Sequence, residues 1–335
     1  MEVKIFPAVK GRHGIELEGW MPELADWVTD APRAQPIRKL FRQLEGVLMK
    51  LVDRPDEVVL VLPADFAEAV VRRDPDLAGY TTERGSGTTP AKTMRVSDRI
   101  EVLLDPRWML REQPGSSFPA ANERAAKPMR YAIQHEAQHV IMKQRGSDLD
   151  NYGIEEISGW LRQRWFGCAA VALDEHRAEW NAARLSKAKP LTPADATAVL
   201  SQLGTDLAAA NNRYQAAPDK VDQLAADVLS TCNVFWKACA YWGAHLRTND
   251  VITDPPLAVT SSELWERYIG DSWSDLANGF AGVPVADLTT DPEVLHAAAL
   301  HMQGAQQVSL RVMGFRYEGD SSGEAFYMDR WDFPS

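Results

Sequence analysis

The stretch "YAIQHEAQHVIMKQRG" constrains this chain most, because it carries His135, Glu136 and His139 as H-E-x-x-H within a helical pattern. Side chains at i and i+4 lie one above the other on a helix, so both imidazoles can face one ion only if the segment is helical. Tyr131, Val140 and Ile141 are available for packing, and Gly146 suits a C-terminal cap, so the helix is expected to begin between Asn122 and Pro128 and stop at Gly146. Glu136 points to the neighbouring flank, where it can take a proton from an activated water rather than bind metal. The pattern arises by chance in roughly one chain in a hundred of this length, which makes it specific enough to anchor a reading. Two partly exposed histidines decorating a helix are the bland alternative.

A catalytic zinc ion usually has three protein ligands and one open position. Two downstream segments compete to supply the third. In "LDEHRAEWNAARL", Glu175 and Glu179 sit one helical turn apart, and Ala178 is small enough for close helix packing. With Glu175 as ligand, Glu179 can orient a ligating histidine. In "NYGIEEISGWL", Glu155 or Glu156 follows sooner. Glu179 and His176 complete the alternatives.

Around this helix the pattern is α+β. "MEVKIF" and "EVVLVLP" read as strands, and "QPIRKLFRQLEGVLMKLVDR" as a helix with one apolar stripe. "DFAEAVVRR" reads as a short helix, Gly79 to Lys92 as a loop, and "MRVSDRIEVLLDP" as either one strand or two with a turn at Ser97-Asp98. "GIEEISGWLRQRWFG" and "CAAVALDEHRAEWNAARLS" read as two helices broken near Gly167. From Thr192, a cap followed by Pro193, the chain is mostly helical, and "QQVSLRVMGFRYEGDSSGEAFYMDRW" reads as two strands that could complete an earlier sheet. The expected domains are 1–188, a catalytic half with a small mixed sheet, and 189–335, a helix-rich half ending in a β-hairpin.

Composition narrows the partners. A hydrophobic content of 45% supports a sizeable core, and a net charge of −11 argues against general nucleic-acid or anionic-membrane binding. The small basic cluster Arg33, Arg38, Lys39 and Arg42 reads as a solvated helix face. The N-terminus lacks signal-peptide features and no apolar run is long enough for a membrane span, so the cytoplasm is the expected address. Cys168, Cys232 and Cys239 suggest neither a disulfide framework nor a thiolate metal site, and the tryptophans at helical spacing read as core. His13 and the "GDSSGE" loop read as surface, and His296 and His301, five apart, do not suggest a second metal site.

"HEAQH" followed by "EHRAE" resembles the zincin superfamily of metallopeptidases, and within it the gluzincin branch, whose pattern is H-E-x-x-H and then E-x-x-x-D/E. The strand and helices from about Met94 to Arg184 are also similar to bacterial ImmA/IrrE-type and, more distantly, HtpX-type peptidases. The resemblance implies a zincin-like fold for the first half, His135, His139 and Glu175 as Zn2+ ligands, Glu136 as general base and Glu179 in support. "EEISG" is similar to the thermolysin-like third-ligand segment, but Gly159 replaces its aspartate and the spacing is shorter. No helix-turn-helix module accompanies the motif, so a role in transcription control is not implied.

These features lead to a zinc metallopeptidase acting on a protein or peptide, with the helical half restricting access or meeting a regulatory protein. Tyr152, His176, Arg177, Tyr241 and His245 are candidate donors to an oxyanion, and "RIEVLLDP" is a candidate edge strand for extended substrate. The competing expectations are a non-catalytic interaction protein with a structural zinc site and a metallohydrolase acting on a non-peptide amide.

Overall fold

A computed structural model of the chain describes residues 3–5, 14–77, 79–84, 87–88, 90–186, 192–248, 251–320 and 323–330. The fold is α+β, with one small mixed sheet and a C-terminal hairpin. It divides into two compact units, 1–144 and 145–335. The boundary expected at 188/189 lies outside the described residues, as do His13 and part of the "GDSSGE" loop. Residues 160–186 belong to the second unit because their helix packs along another helix of that unit.

The first unit contains β1 (Val3–Ile5), β2 (Ile15–Glu18), α1 (Pro22–Asp30), α2 (Gln35–Leu51), β3 (Val58–Pro63) and α3 (Phe66–Arg73). There follow β4 (Glu83–Arg84), β5 (Gly87–Thr88), β6 (Ala91–Val96), β7 (Arg99–Leu104), β8 (Leu110–Arg111), β9 (Ala120–Ala121) and α4 (Ala126–Arg145). The main sheet has the order β1-β2-β3-β7-β6; β2, β3 and β7 run parallel, and β1 and β6 are antiparallel to their neighbours. β3 is buried on both faces, as its continuous apolar run requires. Its alternation sends Val58, Leu60 and Leu62 to a core shared with α2 and α4, and Val59 and Val61 to one shared with α3.

A two-residue turn joins β6 to β7, with Ser97 at φ 54°. This makes β7 an interior strand. "RIEVLLDP" is therefore not the free edge expected from the sequence; β6 ends the described sheet instead. α4 buries Met129, Ile133, Ala137 and Val140 against the sheet and ends at Gly146, whose φ of 61° is the left-handed conformation of a C-terminal cap. Buried Gln144 closes the same end: its Oε1 accepts from the Asp53 and Arg54 amides at 3.0 and 3.1 Å. On β2, burial pushes the Glu18 carboxyl up, but hydrogen bonds and charge from Arg73 and Arg72 outweigh this and hold it below its ordinary range.

The second unit begins with 3-10 turns and then α5 (Trp160–Ser186), α6 (Pro193–Ala216) and α7 (Val221–Leu246). α5 runs unbroken through Gly167, and "GIEEIS" is a 3-10 turn, Ile154–Glu156, rather than the start of a helix. Glycine inside a helix costs about 1 kcal/mol relative to alanine, which burial of Trp165, Phe166, Cys168 and Ala169 around it offsets. α6 opens on a capping box made by Thr192 and Asp195, with Pro193 in its first turn. α5 and α7 run in the same direction, since Glu175 meets Tyr241 and Glu179 meets His245 at a constant offset.

Next come β10 (Arg247–Thr248), β11 (Val251–Ile252), α8 (Leu257–Thr260), α9 (Glu263–Tyr268), α10 (Ser272–Ala281) and α11 (Pro292–Val312). The hairpin β12 (Phe315–Asp320) and β13 (Gly323–Met328) closes the unit. "QQVSLRV", expected as strand, is the last part of α11, and the hairpin forms its own two-stranded sheet rather than completing the main one. Trp165, Trp236, Trp242, Trp265 and Trp273 are core residues, whereas Trp160 is half exposed. Cys168, Cys232 and Cys239 are buried free thiols; burial pushes Cys168 up to about 11 and the other two well above their ordinary value. Among the described residues no helix is long and apolar enough to cross a membrane.

Candidate metal centre

On α4 the core stripe leaves His135 and His139 on an adjacent, partly buried flank. Their Nε2 atoms are 3.2 Å apart, and the rings meet edge-on with centroids 4.9 Å apart. Zinc–nitrogen bonds of about 2.0–2.1 Å in a tetrahedron set neighbouring donors about 3.3 Å from each other, so this separation suits two imidazoles on one ion. It also suits a hydrogen bond from one neutral imidazole to the other.

Glu136 is 8% exposed and turns toward the edge of the sheet. The Thr93 hydroxyl, on β6, donates to Glu136 Oε2 at 2.7 Å and lies 3.2 Å from the Glu136 carbonyl oxygen. A strand side chain thus orients the carboxylate next to the histidines. Thr93 escaped the sequence reading, because "AKTMRV" carries no sign that β6 is the strand beside this helix.

In the second unit, Glu175 is partly buried on α5. Tyr241 on α7 donates to its Oε2 at 2.7 Å, and Lys237 Nζ lies 3.9 Å from its Oε1. One turn further, Glu179 is 2.6 Å from His245 Nε2. Tyr241 and His245, candidate oxyanion donors by sequence, are thus placed against Glu175 and Glu179 of α5. Lys237 is the member of this ladder that the sequence reading missed; it lies four residues before Tyr241, the spacing that puts both on one helix face.

The other candidates have different surroundings. Glu155 and Glu156 are exposed on their short turn. His176 is fully buried; its Nδ1 is 2.9 Å from the Ala240 carbonyl oxygen and its Nε2 accepts from Arg247 at 3.1 Å. Both ring nitrogens are engaged, and burial pushes its pKa down to about 3 despite the Ala240 bond. Arg177 is fully buried too, bonded to the Pro284 carbonyl at 2.8 Å and to the Ser147 carbonyl. Tyr152 is wholly buried, which raises its pKa far beyond reach of neutral solution.

Compared with protein-family models, curated proteins and solved structures, the chain matches none of them.

Proposed function

We propose that this chain is a zinc-dependent peptidase of zincin type that hydrolyses peptide bonds of a protein or peptide, with His135, His139 and Glu175 holding the ion and Glu136 as general base. The separation of the two Nε2 atoms, 3.2 Å on one helix with Glu136 beside them, carries this reading. For the third ligand, the surroundings favour Glu175. Its carboxylate is partly buried and oriented by Tyr241, whereas Glu179 faces His245, His176 has both nitrogens engaged and Glu155 and Glu156 face solvent.

A bound zinc ion would supply acidification of a water molecule and polarisation of the scissile carbonyl. Glu136 takes the proton from the attacking water and delivers it to the leaving amine. Thr93 holds one oxygen of that carboxylate by hydrogen bond, which leaves the other for the proton. Among the described residues β6 ends the sheet, and its outer edge would take an extended substrate, a mode that favours peptides over other amides. Glu179 and His245 brace the helix that carries Glu175, and a regulatory protein would act through the helical unit. Three buried thiols suit a reducing compartment such as the cytoplasm.

The alternative, a protein without catalytic activity, draws on the same 3.2 Å separation, which an imidazole–imidazole hydrogen bond also satisfies. Elemental mass spectrometry of the purified chain decides between them. One zinc per chain, lost in His139→Ala and Glu175→Ala, is the expected outcome. No zinc even after supply would sink the peptidase reading, and loss in His139→Ala alone would move the third ligand. Peptide-library profiling should then find cleavage that Glu136→Gln lowers by about 100-fold or more while zinc is retained. A zinc-loaded chain that cleaves no peptide would point to a non-peptide amide.

A further inference from the structure

Cys168 and Glu175, two turns apart on α5, both lie near Lys237 of α7. Burial keeps the Cys168 thiol uncharged in neutral solution, so Glu175 is the anion there. The Lys237 ammonium stands 3.9 Å from its Oε1, and among the described residues this is the one carboxylate that Lys237 pairs with. The two side chains are 27% and 19% exposed, so water screens the pair less than it would on open surface.

One turn further along α7, Tyr241 donates to the other oxygen, Oε2, at 2.7 Å. The next turn carries His245, whose Nε2 lies 2.6 Å from Glu179 instead. α7 thus brings an ammonium to one oxygen of Glu175 and a neutral hydroxyl to the other. For a carboxylate that has to hold a cation, these partners act in opposite directions. A hydroxyl fixes the orientation of the group and leaves it its full charge, and an ionised carboxylate, with about four acceptor positions, still has room for a metal ion. An ammonium offsets that charge and repels a dication drawn to the same oxygens.

We propose, on the reading that Glu175 is a zinc ligand, that Lys237 is a built-in competitor for the ion and that Tyr241 is the residue that positions Glu175 for it. Glu175 then has to give up an ion pair to bind zinc. The chain therefore holds the ion more weakly than the same two histidines and glutamate would without Lys237, and occupancy of the site follows the zinc supply. Lys237 differs in this from a strut between α5 and α7. A strut stabilises the chain whether or not metal is bound, whereas a competitor stabilises it only until zinc takes the carboxylate.

The test is competition for zinc between the full chain and a chromophoric chelator, paired with melting curves in EDTA and in saturating zinc. Lys237→Met keeps an unbranched stem and a good helix former and removes the charge. It should bind zinc about fivefold more tightly than wild type, as should Lys237→Gln, while Lys237→Arg, which keeps the charge, should not. Tyr241→Phe should bind zinc about tenfold more weakly. Lys237→Met should also melt below wild type in EDTA and no lower than wild type in saturating zinc. Neutral Lys237 variants that bind zinc no more tightly, a melting deficit that persists in zinc, or unchanged affinity in Tyr241→Phe would each overturn the proposal and leave the peptidase reading intact. A wild type that takes up no zinc would end that reading, and this proposal with it.

Discussion

Thr93 shows how little at the motif depends on the motif alone. Its hydroxyl bond to Glu136 is made to a carboxylate with 8% exposure, where a hydrogen bond to a charged acceptor contributes about 1.5–3 kcal/mol. Thr93→Val keeps the β-branched shape that β6 favours and removes only the donor. On the peptidase reading, peptide turnover should fall about tenfold with zinc content unchanged. A Thr93→Val enzyme with undiminished turnover would show that Glu136 does not need this partner. His135, Glu136 and His139 were legible in the sequence because one helix, by its own periodicity, puts them together. Thr93 was not, because its position depends on which strand ends the sheet.

Helix α5 makes the corresponding point for an element. The sequence places a glycine in its first third, and local propensity suggests a break there, yet the helix continues because neighbours on both sides bury their side chains. Since a Cβ at Gly167 meets nothing within 4 Å, Gly167→Ala should stabilise the second unit by about 0.5–1 kcal/mol. Chemical denaturation measures it, and a destabilised variant would mean that this helix needs flexibility at Gly167. In α11 the alternation of Val308, Leu310 and Val312 suits a strand as well as a helix. The helix wins because Leu295, Ala299, Met302, Gln306 and Ser309 are buried at its period.

For the molecule as a whole, His176 links folding to pH. Its folded pKa is about 3, below the ordinary 6.5 that the unfolded chain regains, so the unfolded state binds the extra proton. Neutral His176 therefore leaves stability unaffected above pH 6.5, and stability is lost as pH falls from 6.5 toward 3. Denaturant unfolding monitored between pH 7 and pH 4 should show this slope in the wild type and a shallower one in His176→Gln. Identical slopes would mean that the imidazole is reached by water or relaxed when protonated. The acid loss of Glu18 and Glu324, whose carboxyls sit below the ordinary range, adds at the lower end of the same window and persists in the variant.

The sequence by itself determined what is periodic or local: the α4 helix with its two histidines and Gly146 cap, the Thr192-Pro193 start of α6, the Ser97-Asp98 turn and the α+β class. These follow from side-chain spacing and backbone preference, which act over a few residues. Tertiary structure alone decided what depends on distant neighbours. It made β7 interior and β6 the edge, joined two expected helices into α5, and set Tyr241 and Lys237 against Glu175 and His245 against Glu179. Strand order and the choice of carboxylate partner arise from packing between segments far apart in the chain, where no short-range pattern records which face meets which.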